Sequence, residues 1–559
     1  MTESKRPKVY KSRKLRVIPL GGLHEIGKNM TVLEYGNDIM IIDCGMAFPD
    51  DEMLGIDVVI PDFNYLVANS DKIRGLVITH AHEDHIGAIP YLLQKLNVPI
   101  YSTRLTLGFI KNKLKEHKVE ADLHEISPGD EIRLGVFRVE AIHTTHSVAD
   151  SLALCIDTPV GKVFHTGDFK IDYTPVDGEP LDLNRLAALG DEGVLLLMAD
   201  STNAARKGYT PSEKQVGIAL NNIFASTKKR IIIAIFASNV HRAQRIIDMA
   251  VANGRKVAIS GRSMENMVRI AEELGYLDIP DGTLVEMNKI KNIPDDKLVI
   301  MTTGSQGEPM SALARMANSM HRQVQIRPGD MVILSSTAVP GNEKMVSNVV
   351  NSLMEKGAEV IYNDIAETHV SGHASSEELK LIHTLLRPSF FMPVHGEMKH
   401  LMAHAQIAES LGLDKSRILL GANGDVFELT RGKAKKAKET VHAGAVMVDG
   451  LGIGDVGSSV LKERSYLSEA GLIVMAACFE NGRLVSGPQL ESKGFVYVKE
   501  HRNLLEEARI AVEEELMFCM DSGKHDVNAM ADVCKSRLRN FIYEKTERSP
   551  VIIPVFMEV

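Results

Sequence analysis

Four potential metal ligands are crowded into one short stretch, Thr79-His80-Ala81-His82-Glu83-Asp84-His85. Three histidines and an aspartate so close together are difficult to explain by packing, because each polar group would need a partner if it were buried. Imidazole nitrogens and carboxylate oxygens are ligands for divalent cations. The alternating His80 and His82 can face one ion, and the adjacent Asp84 and His85 can face a second. The stretch therefore predicts a site for two metal ions rather than a solvated polar loop.

The flanking residues predict where these ligands lie. Residues 73–78 form an apolar, β-branched run that predicts a buried strand, and residues 86–93 predict the helix behind it. The ligands would then lie on a strand-to-helix turn. Two cations held there suit hydrolysis, because they lower the pKa of a water molecule and offset charge on a phosphoryl group.

Composition limits the class of protein. With 559 residues, 44% of them hydrophobic, the chain is long enough for two or three domains. It shows no signal peptide and no apolar run of membrane-spanning length, so we expect a soluble cytoplasmic protein without a membrane segment. Five scattered cysteines without a CxxC pair indicate neither a disulfide framework nor a thiolate zinc site. A net charge of −9 means that any nucleic-acid-binding surface must be local.

The rest of the chain alternates strand and helix patterns. The lysine- and arginine-rich residues 1–14 lack apolar periodicity and predict a disordered basic arm. Strands and helices then alternate as in a layered α/β domain. After about residue 210, regular βα units predict a second, doubly wound domain with a parallel sheet.

The ligand stretch has the HxHxDH pattern of metallo-β-lactamase-fold hydrolases, and the order of later segments resembles the RNase J family in the β-CASP branch of that fold. The segments that carry the resemblance are residues 21–29, 48–61, 143–151, 303–310 and 369–373. It extends from about residue 15 to residues 550–554. His24 departs from the pattern, because a small residue is expected there.

The resemblance implies an α/β fold, in which a metallo-β-lactamase αββα sandwich carries an inserted, doubly wound β-CASP domain and a small α+β C-terminal domain. The implied boundaries are 15–210 and 360–430 for the two parts of the sandwich, 211–359 for the β-CASP domain, 431–459 for a linker and 460–559 for the C-terminal domain.

It also implies the full ligand set. His80, His82 and His146 would hold one ion, Asp84, His85 and His395 would hold the other, and Asp168 would bridge them. These ligand types favour two zinc ions, although manganese stays open. Asp43 would orient ligand imidazoles, unless it is simply a turn residue.

The remaining functional positions follow from the same resemblance. His373 would be the general acid and Asp200 would orient it, since histidine is a natural proton donor near neutral pH; either could instead be structural. Residues 303–309 form a glycine-rich loop that could contact phosphate, but it lacks the GK[ST] of a nucleotide P-loop. A pocket for a terminal 5′-phosphate would be built from Ser238, His369, Ser371 and Gly372.

The function implied is a dinuclear metal-dependent ribonuclease with 5′-to-3′ exonuclease and endonuclease activity in RNA maturation and decay. Its substrate would be single-stranded RNA, preferably with a 5′-monophosphate. A homodimer or homotetramer is implied, and assembly with a paralogous subunit stays open. Two alternatives remain: a hydrolase of the same fold acting on DNA or a small ester, and a noncatalytic RNA-binding or scaffold subunit. His395 opposes action on DNA, because the DNA-processing relatives that the β-CASP branch includes typically lack a histidine at that position. The inserted domain opposes a compact hydrolase of small esters. The intact ligand set opposes a noncatalytic subunit.

Overall fold

A computed structural model describes residues 14–50, 52–176, 178–306, 311–336, 338, 342–362, 368–481, 483–495, 502–523 and 526–559. The chain divides into two compact units, one combining the residues up to Ala47 with Ile60–Ala445 and the other combining Phe48–Val59 with Val446–Val559. Apart from Lys14, the predicted basic arm lies outside the described residues. Within the described ranges, none of the helices has both the length and the apolar character needed to cross a membrane.

The secondary structure alternates along most of the chain. The strands are β1 Leu15–Gly21, β2 Met30–Tyr35, β3 Asp38–Ile42, β4 Val58–Pro61, β5 Ile73–Val77, β6 Ile100–Ser102, β7 Leu123–Glu125, β8 Glu131–Leu134, β9 Phe137–His143, β10 Leu152–Thr158, β11 Gly161–His165, β12 Val194–Asp200, β13 Ile231–Ala234, β14 Lys256–Ser260, β15 Leu284–Val285, β16 Leu298–Thr302, β17 Met331–Leu334, β18 Glu359–Ile361, β19 Phe390–Val394, β20 Asp425–Thr430, β21 Lys433–Thr440, β22 Ala445–Asp449, β23 Gly452–Ile453, β24 Leu472–Glu480, β25 Arg483–Lys493 and β26 Val551–Glu558. The α-helices are α1 Asn64–Ala68, α2 Glu83–Ile86, α3 Ile89–Leu93, α4 Arg104–His117, α5 Leu183–Glu192, α6 Glu213–Ser226, α7 Val240–Ala252, α8 Arg262–Glu273, α9 Ala312–Ala317, α10 Glu343–Glu355, α11 Ser376–Leu386, α12 Met398–Ser410, α13 Ser458–Ala470, α14 Arg502–Asp521 and α15 Val527–Thr546. Short 3-10 helices lie at Ser70–Lys72, Ile290–Asn292, Asp295–Lys297 and Lys415–Arg417.

Two sheets form a sandwich in the first unit. One has the order β21-β20-β1-β2-β3-β5-β6-β7 and the other the order β19-β12-β11-β10-β9-β8. Apolar side chains of both sheets, such as Leu33 and Met40 of the first and Leu154 and Leu196 of the second, share one buried core. The outer face of the second sheet packs against α5, α11 and α12 through another apolar cluster. Burial of such apolar surface is the main force that holds these layers together.

Two parallel strand pairs set the position of the ligand-bearing loops. Strand β3 pairs with β5, and β12 pairs with β19 so that Asp200 lies opposite Val394. Parallel strands end at the same edge of a sheet, so the loops that follow them meet there. The residues just after β3 therefore lie beside those after β5, and the residues just after β12 lie beside those after β19.

The inserted region is a parallel sheet covered on both faces. Its order is β15-β14-β16-β13-β17-β18, and every neighbouring pair is parallel. Helices α6, α7 and α8 bury their apolar faces on one side, and α9 and α10 do so on the other. This arrangement confirms the predicted doubly wound sheet.

The second unit contains a small α+β domain. Its sheet has the order β25-β24-β26, and one face packs on α14 and α15 around Met475, Phe479 and Leu538. Residues 48–59, which precede the first ligand loop in the sequence, belong to this unit. Four of the five free cysteines are buried, as expected for small core residues, and Cys478 is half-buried.

Two segments differ from the sequence-based expectation. The single helix predicted over residues 86–93 is two short helices, because α2 already begins at Glu83 and α3 begins at Ile89 with Pro90 in its first turn. Residues assigned to a linker form the edge strand β21, which pairs with β20. Its lysines suit an unpaired sheet edge, and Lys436 also pairs with Asp425 of β20.

Candidate metal centre

Asp43 organises the turn that carries the ligand stretch. It follows β3 with a left-handed backbone (φ 59°), which aspartate tolerates better than most residues. Its carboxylate accepts hydrogen bonds from the Thr79 amide at 2.8 Å and from the Thr79 hydroxyl at 2.9 Å. It also accepts one from Nδ1 of His85 at 2.8 Å. Asp43 therefore fixes the turn after β5 and leaves Nε2 of His85 as the nitrogen that can face a metal ion.

Hydrogen bonds to Nδ1 also orient the rings of His80 and His146. The Thr79 hydroxyl donates to Asp43, so it accepts from Nδ1 of His80 at 3.0 Å. Nδ1 of His146 lies 2.7 Å from the carbonyl oxygen of Gly372 and must donate to it. Both histidines thus present Nε2, and such partners typically set which nitrogen of a ligand imidazole is available.

Two groups of potential ligands form around Asp168. His80, His82, His146 and Asp168 make one group, and Asp84, His85, His395 and Asp168 make the other, with ligand atoms within 4.8 Å of one another in each. In the first group, Nδ1 of His82 lies 3.0 Å from Nε2 of His80 and 3.1 Å from Nε2 of His146. These two groups contain the seven ligands that the sequence predicts.

The buried carboxylate of Asp168 tests whether this centre suits metal ions. Its Oδ2 has no hydrogen-bond partner among the described residues, although Asp168 is only 2% exposed. Nε2 atoms of four histidines surround that oxygen, at 3.3 Å for His85, 3.4 Å for His395, 3.6 Å for His80 and 3.8 Å for His146. Ligand atoms about 2.1 Å from a tetrahedral ion lie roughly 3.4 Å apart. The donor set therefore fits divalent ions that share Asp168.

Electrostatics differ between the two groups. Burial lowers the pKa of His80 and His146 well below the usual value and that of His82 to about 4, so these rings are held neutral, as metal ligands must be. Burial also acts on His85 and His395, but nearby carboxylates, above all that of Asp168, outweigh it and raise their pKa. The second group is thus a site where carboxylates favour positive charge.

His373 lies at the rim of the centre and is held by Asp200. Nδ1 of His373 is 2.8 Å from Oδ2 of Asp200, which ends β12, while Oδ2 of Asp168 is 3.9 Å away. Burial opposes protonation of His373, but Asp200 and more distant carboxylates raise its pKa to about 9. At 20% side-chain exposure, His373 remains open to a substrate. It also falls within a third possible ligand group with Asp168, Asp200 and His395.

The predicted phosphate-binding residues are only partly brought together. Ser371 accepts hydrogen bonds from Asn203 Nδ2 at 2.8 Å and from the His373 amide at 3.2 Å, so it is fixed beside the general-acid candidate. Gly372 has no room for a side chain because a Cβ would collide with the ring of His146. Ser238 is half-buried, and no hydrogen bond joins it to His369 or Ser371 within the described ranges. Of the glycine-rich loop, residues 307–309 lie outside the described residues.

One buried arginine beside His369 was not predicted from the sequence. Arg242 on α7 is 1% exposed and pairs with Glu213 at 2.7 Å. It also lies 3.0 Å from Nδ1 of His369. The three residues come from segments far apart in the sequence, so no local pattern could have predicted the contact.

His24 is exposed, with φ 64°, on the loop beside Gly396, which follows His395.

Family models match most of the chain. Ribonuclease J, beta-CASP domain, matches residues 228–353, and the ribonuclease J C-terminal domain matches residues 459–559. The metallo-beta-lactamase superfamily matches residues 25–204, and the Zn-dependent metallo-hydrolase RNA specificity domain matches residues 357–417. Together they correspond to the sandwich, its inserted sheet and the C-terminal domain.

Curated relatives resemble the chain over nearly its full length. Ribonuclease J 1 of Streptococcus pyogenes serotype M3 is 44% identical over 551 residues, 98% of each chain. Ribonuclease J2 of Bacillus subtilis is 41% identical, covering 98% of this chain and 99% of its own. Ribonuclease J of Thermus thermophilus is 43% identical, covering 97% and 95%. A solved structure of a protein of unknown function from Enterococcus faecalis V583 shares the fold, with a TM-score of 0.51 and 16% identity over 76% of this chain and all of its own. The chain therefore belongs to the ribonuclease J family.

Proposed function

We propose that this chain hydrolyses phosphodiester bonds in single-stranded RNA with two divalent metal ions. The observation that carries the proposal is the buried carboxylate oxygen of Asp168, which has no hydrogen-bond partner among the described residues and lies between histidines of both ligand groups. His80, His82 and His146 would hold one ion, and Asp84, His85 and His395 would hold the other. When bound, the ions supply Lewis acidity that lowers the pKa of water and offsets charge on phosphate oxygens. Because histidines dominate the donors, zinc is our first choice, with manganese as the alternative.

His373 supplies the proton for the leaving group in this proposal. Asp200 can only accept at its carboxylate, so it holds the proton of His373 on Nδ1 and directs Nε2 away from itself. Nε2 is then the atom that gives a proton to the 3′-oxygen as the phosphodiester breaks. Asp200 is 2% exposed, so its hydrogen bond to His373 is shielded from competing water.

We further propose that the enzyme removes nucleotides from a 5′-monophosphate end in the 5′-to-3′ direction and also cuts internally. Ser371 and His373 are two positions apart, so their Cα atoms are at most roughly 7 Å from each other. A terminal phosphate near Ser371, Gly372, His369 and Ser238 would therefore place the adjoining nucleotide linkage near the proton donor. Arg242 adds positive charge behind His369, although Glu213 shares it.

The deciding experiment combines metal analysis with digestion of labelled RNA. We expect two metal equivalents per chain, mononucleotides from a 5′-monophosphate RNA, and fewer mononucleotides from the same RNA with a 5′-triphosphate. Internal cutting should not depend on the 5′-end. A metal-bound chain that cleaves no RNA would be the scaffold subunit, and one that cleaves matched single-stranded DNA better than RNA would be a DNA hydrolase.

We also propose that the chain forms homodimers or homotetramers through its C-terminal domain. On the edge strand β26, Ile553, Val555 and Met557 are exposed on the face of the sheet opposite the buried Ile552, and an exposed apolar patch of this kind favours association. Sedimentation equilibrium of the parent and an Ile553→Lys/Val555→Lys variant tests this; an unchanged mass would contradict it. A cytoplasmic location is proposed with it, and fractionation of the source cells would test that.

A further inference from the structure

The side chain of Asn29 touches both flanks of the second ligand group. Its Oδ1 lies 2.9 Å from Nδ1 of His395. Its Nδ2 lies 3.1 Å from the main-chain carbonyl oxygen of Asp84 and 3.1 Å from Nε2 of His85. The Asn29 amide nitrogen also donates to the same Asp84 carbonyl at 3.0 Å. One buried residue thus joins two segments that are remote in the sequence.

The contact partners determine how the Asn29 amide is oriented. A carbonyl oxygen can only accept a hydrogen bond, so the group facing Asp84 must be the NH₂ group. The amide oxygen therefore faces His395 and must accept a hydrogen from its Nδ1. That hydrogen bond leaves Nε2 of His395 as the nitrogen that faces Oδ2 of Asp168 at 3.4 Å.

The surrounding backbone is shaped to keep the Asn29 amide in this position. A Cβ added at Gly22 would collide with Oδ1 of Asn29, and one added at Gly45 would collide with the Asp84 carbonyl. The amide of Gly45 also donates to the Asn29 carbonyl at 3.0 Å. The glycines at 22 and 45 are therefore required for the close approach of Asn29 to both flanks.

We propose that Asn29 is a positioning residue, which fixes His395 and the Asp84–His85 segment as ligands of the second ion. This inference rests on the proposed two-metal function and adds a residue to its machinery. Asn29 touches none of His80, His82 and His146, so its effect is confined to one ion. Groups that orient ligands in this way commonly contribute 10- to 100-fold to metal affinity.

Metal binding separates this role from a general structural one. The metal-free parent and its variants are equilibrated with buffered free Zn²⁺ and, separately, Mn²⁺, and bound metal per chain is measured. We expect Asn29→Ala to bind one ion as the parent does and the second about 10- to 100-fold more weakly. Asn29→Asp keeps an oxygen for His395 but loses the side-chain donor to the Asp84 carbonyl. Its affinity for the second ion should therefore lie between the affinities of the parent and of Asn29→Ala.

Asn423→Ala is the matched control. Asn423 holds the loop between β1 and β2, in which Asn29 also lies. It accepts a hydrogen bond from the Leu23 amide at 3.1 Å and donates one to Glu25 at 2.7 Å. It forms no hydrogen bond with any of the seven predicted ligands. It should bind both ions like the parent. If Asn29→Ala does not fold, the comparison of Asn29→Asp with the control remains decisive.

The outcomes distinguish the inference from the function on which it rests. Unchanged binding of both ions in the Asn29 variants, or equal weakening in Asn423→Ala, would overturn the positioning role while the parent still cleaves RNA. A parent that binds fewer than two ions and does not cleave RNA would overturn the proposed function, and the positioning role with it.

Discussion

Oδ2 of Asp43, which follows β3, and Nδ1 of His85, which lies in the short helix α2, are 2.8 Å apart. This pair ties the end of β3 to the helical turn that carries the ligands. Both side chains are 2% exposed, so water does not compete for the hydrogen bond.

Removal of this carboxylate should weaken metal binding more than it harms folding. In Asp43→Ala, His85 loses the acceptor that orients its ring, so we expect a 10- to 100-fold lower affinity for one ion. Metal titration and circular dichroism check this. In Thr79→Val it is His80 that loses its Nδ1 acceptor, so the ion of the first group should be the one weakened. Parent-like metal affinity in Asp43→Ala would contradict the role assigned to Asp43.

Substitution of a predicted ligand should abolish hydrolysis without unfolding the chain. His82→Ala and Asp84→Ala each remove one ligand from loops that the sandwich core already holds. We expect fewer than the two metals per chain of the parent, and no cleavage of labelled RNA. Near-parent activity in either variant would eliminate the two-metal centre.

Loss of the general acid should reduce turnover but not metal content. His373→Ala is expected to lower turnover by roughly 10²- to 10⁴-fold, and the loss should be smaller on a substrate whose leaving group needs no proton. Asp200→Asn should give a smaller defect, because the ring keeps a weaker partner. If metal disappears along with activity, His373 is a ligand, as its third grouping with Asp168 and His395 would allow.

The two modes of cleavage should separate in the phosphate-pocket variants. Ser371→Ala and Ser238→Ala remove hydroxyls that we assign to the terminal phosphate, so mononucleotide release should fall much more than internal cutting. Both products are quantified from one RNA with a mono- or triphosphate 5′-end. Equal mononucleotide release from both ends by the parent would exclude the pocket and leave the metal centre unaffected.

A buried histidine pair should make stability depend on pH. His383 and His404 lie 3.2 Å apart through their Nε2 atoms, and both rings contact Phe391. The hydroxyl of Ser201 is 3.0 Å from Nδ1 of His404. Burial lowers the pKa of His383 to about 4 and that of His404 well below the usual value. The unfolded chain, with a histidine pKa of about 6.5, therefore binds more protons in the window between these values.

Stability should consequently decrease as pH falls from about 6.5 towards 4. Each histidine kept neutral in the fold contributes about 1.4 kcal/mol per pH unit to this loss. Urea unfolding at several pH values, compared between the parent and His383→Leu, isolates the contribution of His383, because His404 and the other titratable groups are present in both proteins. Parallel pH profiles for the two proteins would show that His383 is not held neutral.

The sequence was most informative where several ligands lie close together in the chain. His80 to His85 could be interpreted directly because four donors share one turn, whereas His146, Asp168 and His395 could be assigned only by resemblance. The helix break at residues 86–93 was missed because the polar ligand stretch conceals a helical turn that begins at Glu83. The contacts of Asn29 and Arg242 join segments far apart in the chain, so only tertiary packing reveals them.

The pairing of β12 with β19 has a consequence for protein synthesis. His80, His82, His146 and Asp168 all precede the inserted parallel sheet, whereas His395 follows it, at the end of the strand that pairs with β12. Because translation proceeds from the N-terminus, one complete ligand group leaves the ribosome before the insert exists, and the other is incomplete until β19 has emerged. The Gly372 carbonyl that orients His146 also follows the insert. Under the proposed function, a ribosome-bound nascent chain would therefore be unable to cut RNA, including its own message, until the whole insert and β19 have been made.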